Sequence, residues 1–308
     1  MTRIAATTLA GLAVAVVSGS LSAQQPVFRA GVDVVNVGVF VTDCGGMPLT
    51  GLTAEEFEII EDGKRQTVKY FAGGDPENAP PLHLGFMIDM SGSMADDIKD
   101  VCTAAIKFLD SVKRVEDITV VDFDTEVRVA RFDSDDPRIV EHVRRRKPDG
   151  YTALYDALGV YLNGASTQTG DKILVMYTDG GDTRSAMNQG ELIDLLKASD
   201  VTVYSIGYLE HQGSNRLGQQ QILQRLANAT GGQAFFPTSV KDLDKMYQKI
   251  LGEISARYSI GYLSTNPKLD GNWRDVKVRL LRPGLKDVKI RTRAGYYAPY
   301  KASGSGGR

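Results

Sequence analysis

Leu82-His83-Leu84-Gly85-Phe86-Met87-Ile88 runs directly into Asp89-Met90-Ser91-Gly92-Ser93. A short, almost wholly apolar run that ends in a carboxylate and two hydroxyls reads as a buried strand handing polar groups to its carboxyl end. Hard oxygen donors two residues apart can converge on one small hard cation such as Mg²⁺. Two later segments carry donors of the same kind, Gly150-Tyr151-Thr152-Ala153-Leu154 and Tyr177-Thr178-Asp179-Gly180.

Outward from that run, strand and helix alternate from residue 82 to about 256. The patterning predicts strands at 84–89, 117–123, 126–132, 172–177, 201–208 and 232–236. It predicts helices at 94–113, 137–145, 152–165, 189–198, 219–229 and 240–256. In the first helix Ile98, Val101, Cys102, Ala105, Phe108 and Leu109 recur at helical spacing. Near-continuous apolar strands between amphipathic helices imply an α/β fold, a doubly wound, mostly parallel sheet covered on both faces. Such sheets bind ligands in the crevice outside the carboxyl ends of their strands. Asp89 and Asp179 both follow predicted strands and Thr152 precedes a helix, so all three fall at that edge.

The flanks read differently. Residues 28–43 alternate apolar and polar, with Val32, Val34, Val37, Val39 and Val41 prominent. Thr53-Ala54-Glu55-Glu56 is a capping-box signature. Strands are expected at 57–61 and 66–71, around the turn signal Asp62-Gly63-Lys64-Arg65. Beyond the α/β region, 257–263, 275–281 and 288–293 are strand-like. Neither flank has enough strands to bury a core comfortably alone. One β-sandwich built from both ends, with the α/β domain inserted, is the economical solution; two separate β units are the alternative. The expected organisation is a leader at 1–23, a β-segment at 24–79, the α/β domain at 80–256, a returning β-segment at 257–300 and a Gly/Ser-rich disordered tail at 301–308.

The leader has one Arg, an apolar stretch from Ile4 to Val17 and a small polar end, Ser18 to Ala23. That pattern reads as a secretory signal peptide cleaved near Ala23. Its apolar core is about 14 residues, short of the roughly 20 that span a bilayer. An exported, periplasmic or extracellular protein without a membrane span is the expectation. Removing 23 of 308 residues leaves 285, and loss of Arg3 moves the net charge from −2 to −3. This near balance gives no basic footprint for nucleic acid. Arg144-Arg145-Arg146-Lys147 reads as a solvated helix end, where cations suit the dipole. Cys44 and Cys102 are expected to be unpaired thiols, Cys102 as a small core residue. His83, His142 and His211 show no metal-ligand spacing.

Taken singly, Ser91, Ser93 and Thr152 read as readily as helix caps, and Asp179-Gly180-Gly181 as a turn. Together they place two carboxylates and three hydroxyls at one sheet edge, a donor set suited to a six-coordinate Mg²⁺ that keeps some water. Asp182 reads as a group behind the ligands or as a helix cap. Asp122, Asp124 and the acidic run Asp133 to Asp136, apart from Ser134, read as edge and loop carboxylates.

Asp89-x-Ser91-x-Ser93, then Thr152, then Thr178-Asp179-Gly180 resembles the metal-ion-dependent adhesion site of von Willebrand factor A domains. The resemblance covers about residues 80–256. It implies a doubly wound domain with Mg²⁺, or Mn²⁺ or Ca²⁺ in its place, held by Asp89, Ser91, Ser93, Thr152 and Asp179. It also implies a protein partner that completes the coordination through an acidic residue. Gly51-Leu52-Thr53-Ala54-Glu55-Glu56-Phe57, Glu61-Asp62-Gly63-Lys64 and the ending Arg293-Ala294-Gly295-Tyr296-Tyr297-Ala298 resemble the exported von Willebrand factor A-related proteins of Acidobacteria. The resulting expectation is a metal-dependent adhesion or scaffold module rather than an enzyme. One alternative is a phosphatase-like hydrolase with Asp89 as nucleophile, but Ser91 stands where such enzymes carry their second Asp. The other is a structural envelope component in which the metal only stabilises the loops.

Overall fold

The computed structural model describes residues 34–73, 79–145, 147–179, 181–210, 215–284 and 287–300. The leader, the tail from 301, His211, Arg146 and Gly180 lie outside the described residues.

The N-terminal flank forms β1 (Val34–Thr42), β2 (Phe57–Glu61), β3 (Lys64–Gln66) and β4 (Val68–Gly73). β2 and β3 close a tight hairpin in which Asp62 and Gly63 both take positive φ, 46° and 78°, as a two-residue primed turn requires. The expected strand at 66–71 is in fact divided. Gln66 ends β3, its side-chain amide exchanging hydrogen bonds with Thr265, and Val68 begins a strand of the opposite sheet.

The α/β region follows: β5 (Leu82–Asp89), α1 (Ile98–Ser111), β6 (Val115–Phe123), β7 (Val127–Asp133), α2 (Arg138–Arg145), α3 (Leu154–Ala165), β8 (Asp171–Thr178), α4 (Gln189–Ala198), β9 (Val201–Gly207), α5 (Arg216–Ala229), β10 (Gln233–Phe235) and α6 (Leu243–Ser255). The six strands run in the order β10-β9-β8-β5-β6-β7, all parallel except the edge pair β6–β7. Period-two alternation splits the strands between two cores. Leu84, Phe86 and Ile88 pack with α1, α2 and α6. Met87, Leu174 and Met176 pack with α3, α4 and α5 on the other face. Gly85 on that second face admits the Tyr161 ring; a Cβ there would sit 2.4 Å from it. Cys102 lies in the first core with its thiol on the Val143 carbonyl, and Cys44 is free and exposed.

Several helices begin later than their patterns predict. α1 starts at Ile98, after a 3₁₀ turn at Gly92–Met94, because the stretch before it is spent shaping a loop. A second 3₁₀ turn, Val240–Asp242, precedes α6.

The chain then returns through β11 (Tyr258–Leu263), β12 (Trp273–Leu280), β13 (Lys289–Arg291) and β14 (Gly295–Tyr297). Both flanks enter both layers of one sandwich, β13-β1-β11-β4 over β14-β12-β2-β3. Val37, Val39, Val41, Ile59, Ile260 and Tyr262 fill its core. Glu61, buried from the N-terminal flank, accepts hydrogen bonds from Tyr262 (2.8 Å), Tyr296 (2.9 Å) and Ser264 of the C-terminal flank. Of the two arrangements open from sequence, the single interleaved sandwich is the one adopted.

Candidate functional site

Strand order reverses between β5 and β8. From β5 the chain moves outward to β6 and β7 on one side, and only later to β8, β9 and β10 on the other. Crossovers therefore diverge at the carboxyl ends of β5 and β8, and a crevice opens between them. Asp89 is the last residue of β5, and Asp179 directly follows β8.

Asp89 is fully buried. Its Oδ1 accepts from the Ser91 amide (2.9 Å) and its Oδ2 from the Thr178 hydroxyl (2.6 Å). Burial, and after it the charge of Asp179, push the Asp89 carboxyl up to about 6; the hydrogen bonds from Thr178 and Ser91 act in the opposite direction. Asp179 is 4% exposed, and its Oδ2 is buried without a hydrogen-bond partner. A carboxylate oxygen left bare beside a second buried carboxylate is costly unless something cationic joins them.

The Ser91 hydroxyl lies 3.1 Å from that of Ser93. Ser91 stands at the cap position of the 3₁₀ turn, yet its side chain makes no cap hydrogen bond. Thr152 is not the cap of α3 either; that position is Ala153. The helix-cap readings of Ser91 and Thr152 therefore fail.

Backbone hydrogen bonds lace the loops together. The amides of Asp149 and Gly92 bond to Met90 O (2.9 Å) and Gly150 O (3.2 Å), joining the first loop to the second. Thr183 N and Arg184 N both donate to Thr152 O (2.9 and 3.1 Å), and the Thr183 hydroxyl accepts from Thr152 N (2.9 Å), joining the second loop to the third. A fourth segment, after β6, supports the second: Ala153 N donates to Asp124 O and Tyr151 N to the Thr125 hydroxyl. Gly150 turns with φ +74°, and a Cβ on it would lie 2.5 Å from Thr125 Oγ1.

Asp89, Ser91, Thr152 and Asp179 thus gather, buried, at one edge, with Ser93 exposed beside them. Asp182 does different work: its Oδ1 accepts from Tyr155 N (3.2 Å) and the Ser185 hydroxyl (2.6 Å), holding the first turn of α3. Asp122 and Asp124 pair with Arg128 at the sheet edge, and His142 also reaches Asp122. The sequence motif included Thr178 without a role; its hydroxyl orients Asp89, and it follows Tyr177, which pairs with Ile88. Among the described residues no three His, Cys, Asp or Glu side chains cluster as a metal site. A cation here would rest on two carboxylates and on hydroxyls.

A sequence profile of the von Willebrand factor type A domain matches residues 83–249. The chain belongs to the von Willebrand factor type A family. No curated protein matches it. Among solved structures, the VWA chain is similar to the pilus adhesin SpaC from Lactobacillus rhamnosus GG in its open conformation (10% identity, 82% of this chain and 49% of that one, TM-score 0.51). It is also similar to a PilB minor pilin variant from Streptococcus sanguinis (15% identity, 59% and 63% coverage, TM-score 0.50). A von Willebrand factor type A protein from Catenulispora acidiphila aligns over 90% of this chain and 76% of its own, at 12% identity and TM-score 0.47. The VWA chain spans about half to under two thirds of the two pilus proteins' lengths. At these identities the likeness speaks for the fold alone.

Proposed function

We propose that this VWA domain is an exported, metal-dependent protein-binding module, an adhesion or scaffold unit. Asp89, Ser91, Ser93, Thr152 and Asp179 would hold Mg²⁺, or Mn²⁺ or Ca²⁺ in its place, directly or through water. The observation that carries the reading is the bare, buried Oδ2 of Asp179 beside buried Asp89, at the sheet's switch point. The donors are all oxygen, as a hard cation prefers. When bound, the ion would supply positive charge and an open position for an anionic oxygen, which favours a partner's Asp or Glu. The chain's own residues do the rest. Thr178 and the Ser91 amide fix the Asp89 carboxylate, and the laced loops hold the hydroxyls in place before a partner arrives. That preorganisation lowers the entropic cost of binding.

The hydrolase alternative gains no support. Ser91 stands two residues after Asp89, where such an enzyme carries its second Asp. Pull-downs from envelope extracts with wild type, Asp179→Ala and chelator-treated protein test the proposal. Partner capture should be lost in the second and third while circular dichroism shows a folded chain; identical partner profiles in all three would refute it.

A further inference from the structure

The sandwich carries an aromatic platform far in sequence from the metal edge. Along β12, Arg274 and Val276 point inward, so Trp273 and Asp275 lie on the outer face. On β14, Tyr296 reaches the core-side Glu61, leaving Gly295 and Tyr297 outward. Trp273 pairs in register with Tyr297, and Asp275 with Gly295. The indole leans diagonally across to Gly295, where a Cβ would lie 2.1 Å from the Arg274 carbonyl oxygen and 2.5 and 2.7 Å from Cζ2 and Cε2 of the indole. Glycine thus clears both the Arg274 carbonyl and the ring. Tyr297, 40% exposed, meets it edge to face, centroids 5.1 Å apart at 71°, a favoured geometry that fixes both rings.

The rim of this platform is polar and mixed in sign. Asp275 is next along the outer face, ion-paired with Lys277 (3.2 Å), and its amide bonds the Asp62 carboxylate of the neighbouring turn (2.9 Å). The two carboxylates are offset by the Lys277 ammonium and by the Arg274 guanidinium 4.0 Å from Asp62, which leaves no net positive charge to attract an anionic polymer. Rigid aromatic faces ringed by hydrogen-bonding groups complement a pyranose, whose C–H face is apolar and whose rim is hydroxyl. C–H groups, carrying slight positive charge, are drawn to the electron-rich ring face, and sugar hydroxyls donate to carboxylates as charge-assisted hydrogen bonds. We propose that Trp273 and Tyr297 form a binding platform for a neutral glycan chain, its sugar rings stacked on the aromatics and its hydroxyls engaged by Asp275 and Asp62.

Trp273 is the sole tryptophan of the chain, so its fluorescence reports on this site. The full chain is titrated with cellohexaose, chitohexaose, laminarihexaose and xylohexaose, and run in native gels containing the parent polysaccharides. At least one sugar should give a saturable emission shift, unaffected by chelator or by Asp179→Ala. Tyr297→Ala, which keeps the reporter, should weaken binding roughly tenfold, about 1.4 kcal/mol, and Tyr297→Phe should retain it. No shift with any of the four sugars overturns the proposal, as does binding that Tyr297→Ala leaves intact. A concentration-dependent dimer that Tyr297→Ala dissolves would also overturn it and give the platform to a second copy of the chain.

Discussion

Asp179→Asn should change the sign of its effect with the metal. In chelator, the wild-type chain buries two neighbouring carboxylates, and Asp179 Oδ2 has no hydrogen-bond partner. An unsatisfied buried acceptor costs about 1–3 kcal/mol, more when charged, and the Asp179 charge disfavours ionised Asp89 as well. An amide of nearly the same shape removes the repulsion, so the metal-free variant should be more stable by roughly 1–3 kcal/mol. With Mg²⁺ at a hundred times its dissociation constant, wild type should gain about 2.7 kcal/mol. The variant, lacking one of two anionic donors, should gain little.

For a domain of this size 1 kcal/mol moves the melting temperature by about 2–4 °C. Wild type should therefore rise by roughly 5–10 °C on adding Mg²⁺. The variant should melt above wild type in chelator and below it in Mg²⁺. Differential scanning calorimetry of both proteins, with and without Mg²⁺, gives the four values. A variant less stable than wild type in chelator would show that Asp179 is satisfied without a cation. Equal gains in both proteins would place the cation elsewhere.

The sandwich and the thiols give two more tests. Glu61→Ala removes the acceptor of Tyr262, Tyr296 and Ser264; it should cost about 3 kcal/mol in urea unfolding, and an unchanged midpoint would mean that the flanks hold together without this junction. Cys44 should react at once with a thiol reagent at pH 8, whereas Cys102 is buried and its thiol is pushed up to about 11, chiefly by that burial. Because the folded value lies above the unfolded 9.0, the stability this group contributes is complete below pH 9 and is lost as pH rises through about 11; Cys102 labelling should stay slow until that window, and two equally fast thiols at pH 8 would refute it.

The parts legible in the sequence are those governed by local pattern. Leu84 to Ile88 is apolar because both faces of β5 are covered, and an unbroken run is what such a strand looks like. The placement of Asp89, Asp179 and Thr152 at one edge followed from strand ends and chain order. What escaped was set by partners distant in the chain. Thr67, inside the expected strand at 66–71, carries no breaker; the break exists because Gln66 is claimed by Thr265 in one direction and Val68 by β11 in the other. β14 is three residues long, too short for a periodic signal, and is defined by its register with β12. The late start of α1 has the same origin: Gly92 N is committed to Gly150 O, so the first turn serves the site before the helix begins.

The two ends of the parallel sheet have separate duties, which follows from strand direction. The sandwich meets the sheet at the amino ends of its strands. Arg257 donates to the Thr202 hydroxyl (2.9 Å), and Ser259 bonds Asp171; Asp171 opens β8, and Thr202 is the second residue of β9. α6 ends at Ser255 and enters β11 at Tyr258, so the α/β region is anchored on that side. Asp89 and Asp179 lie at the carboxyl ends of β5 and β8, the opposite edge of the sheet. The inserted topology thus commits one sheet edge to support and sets Asp89 and Asp179 at the other.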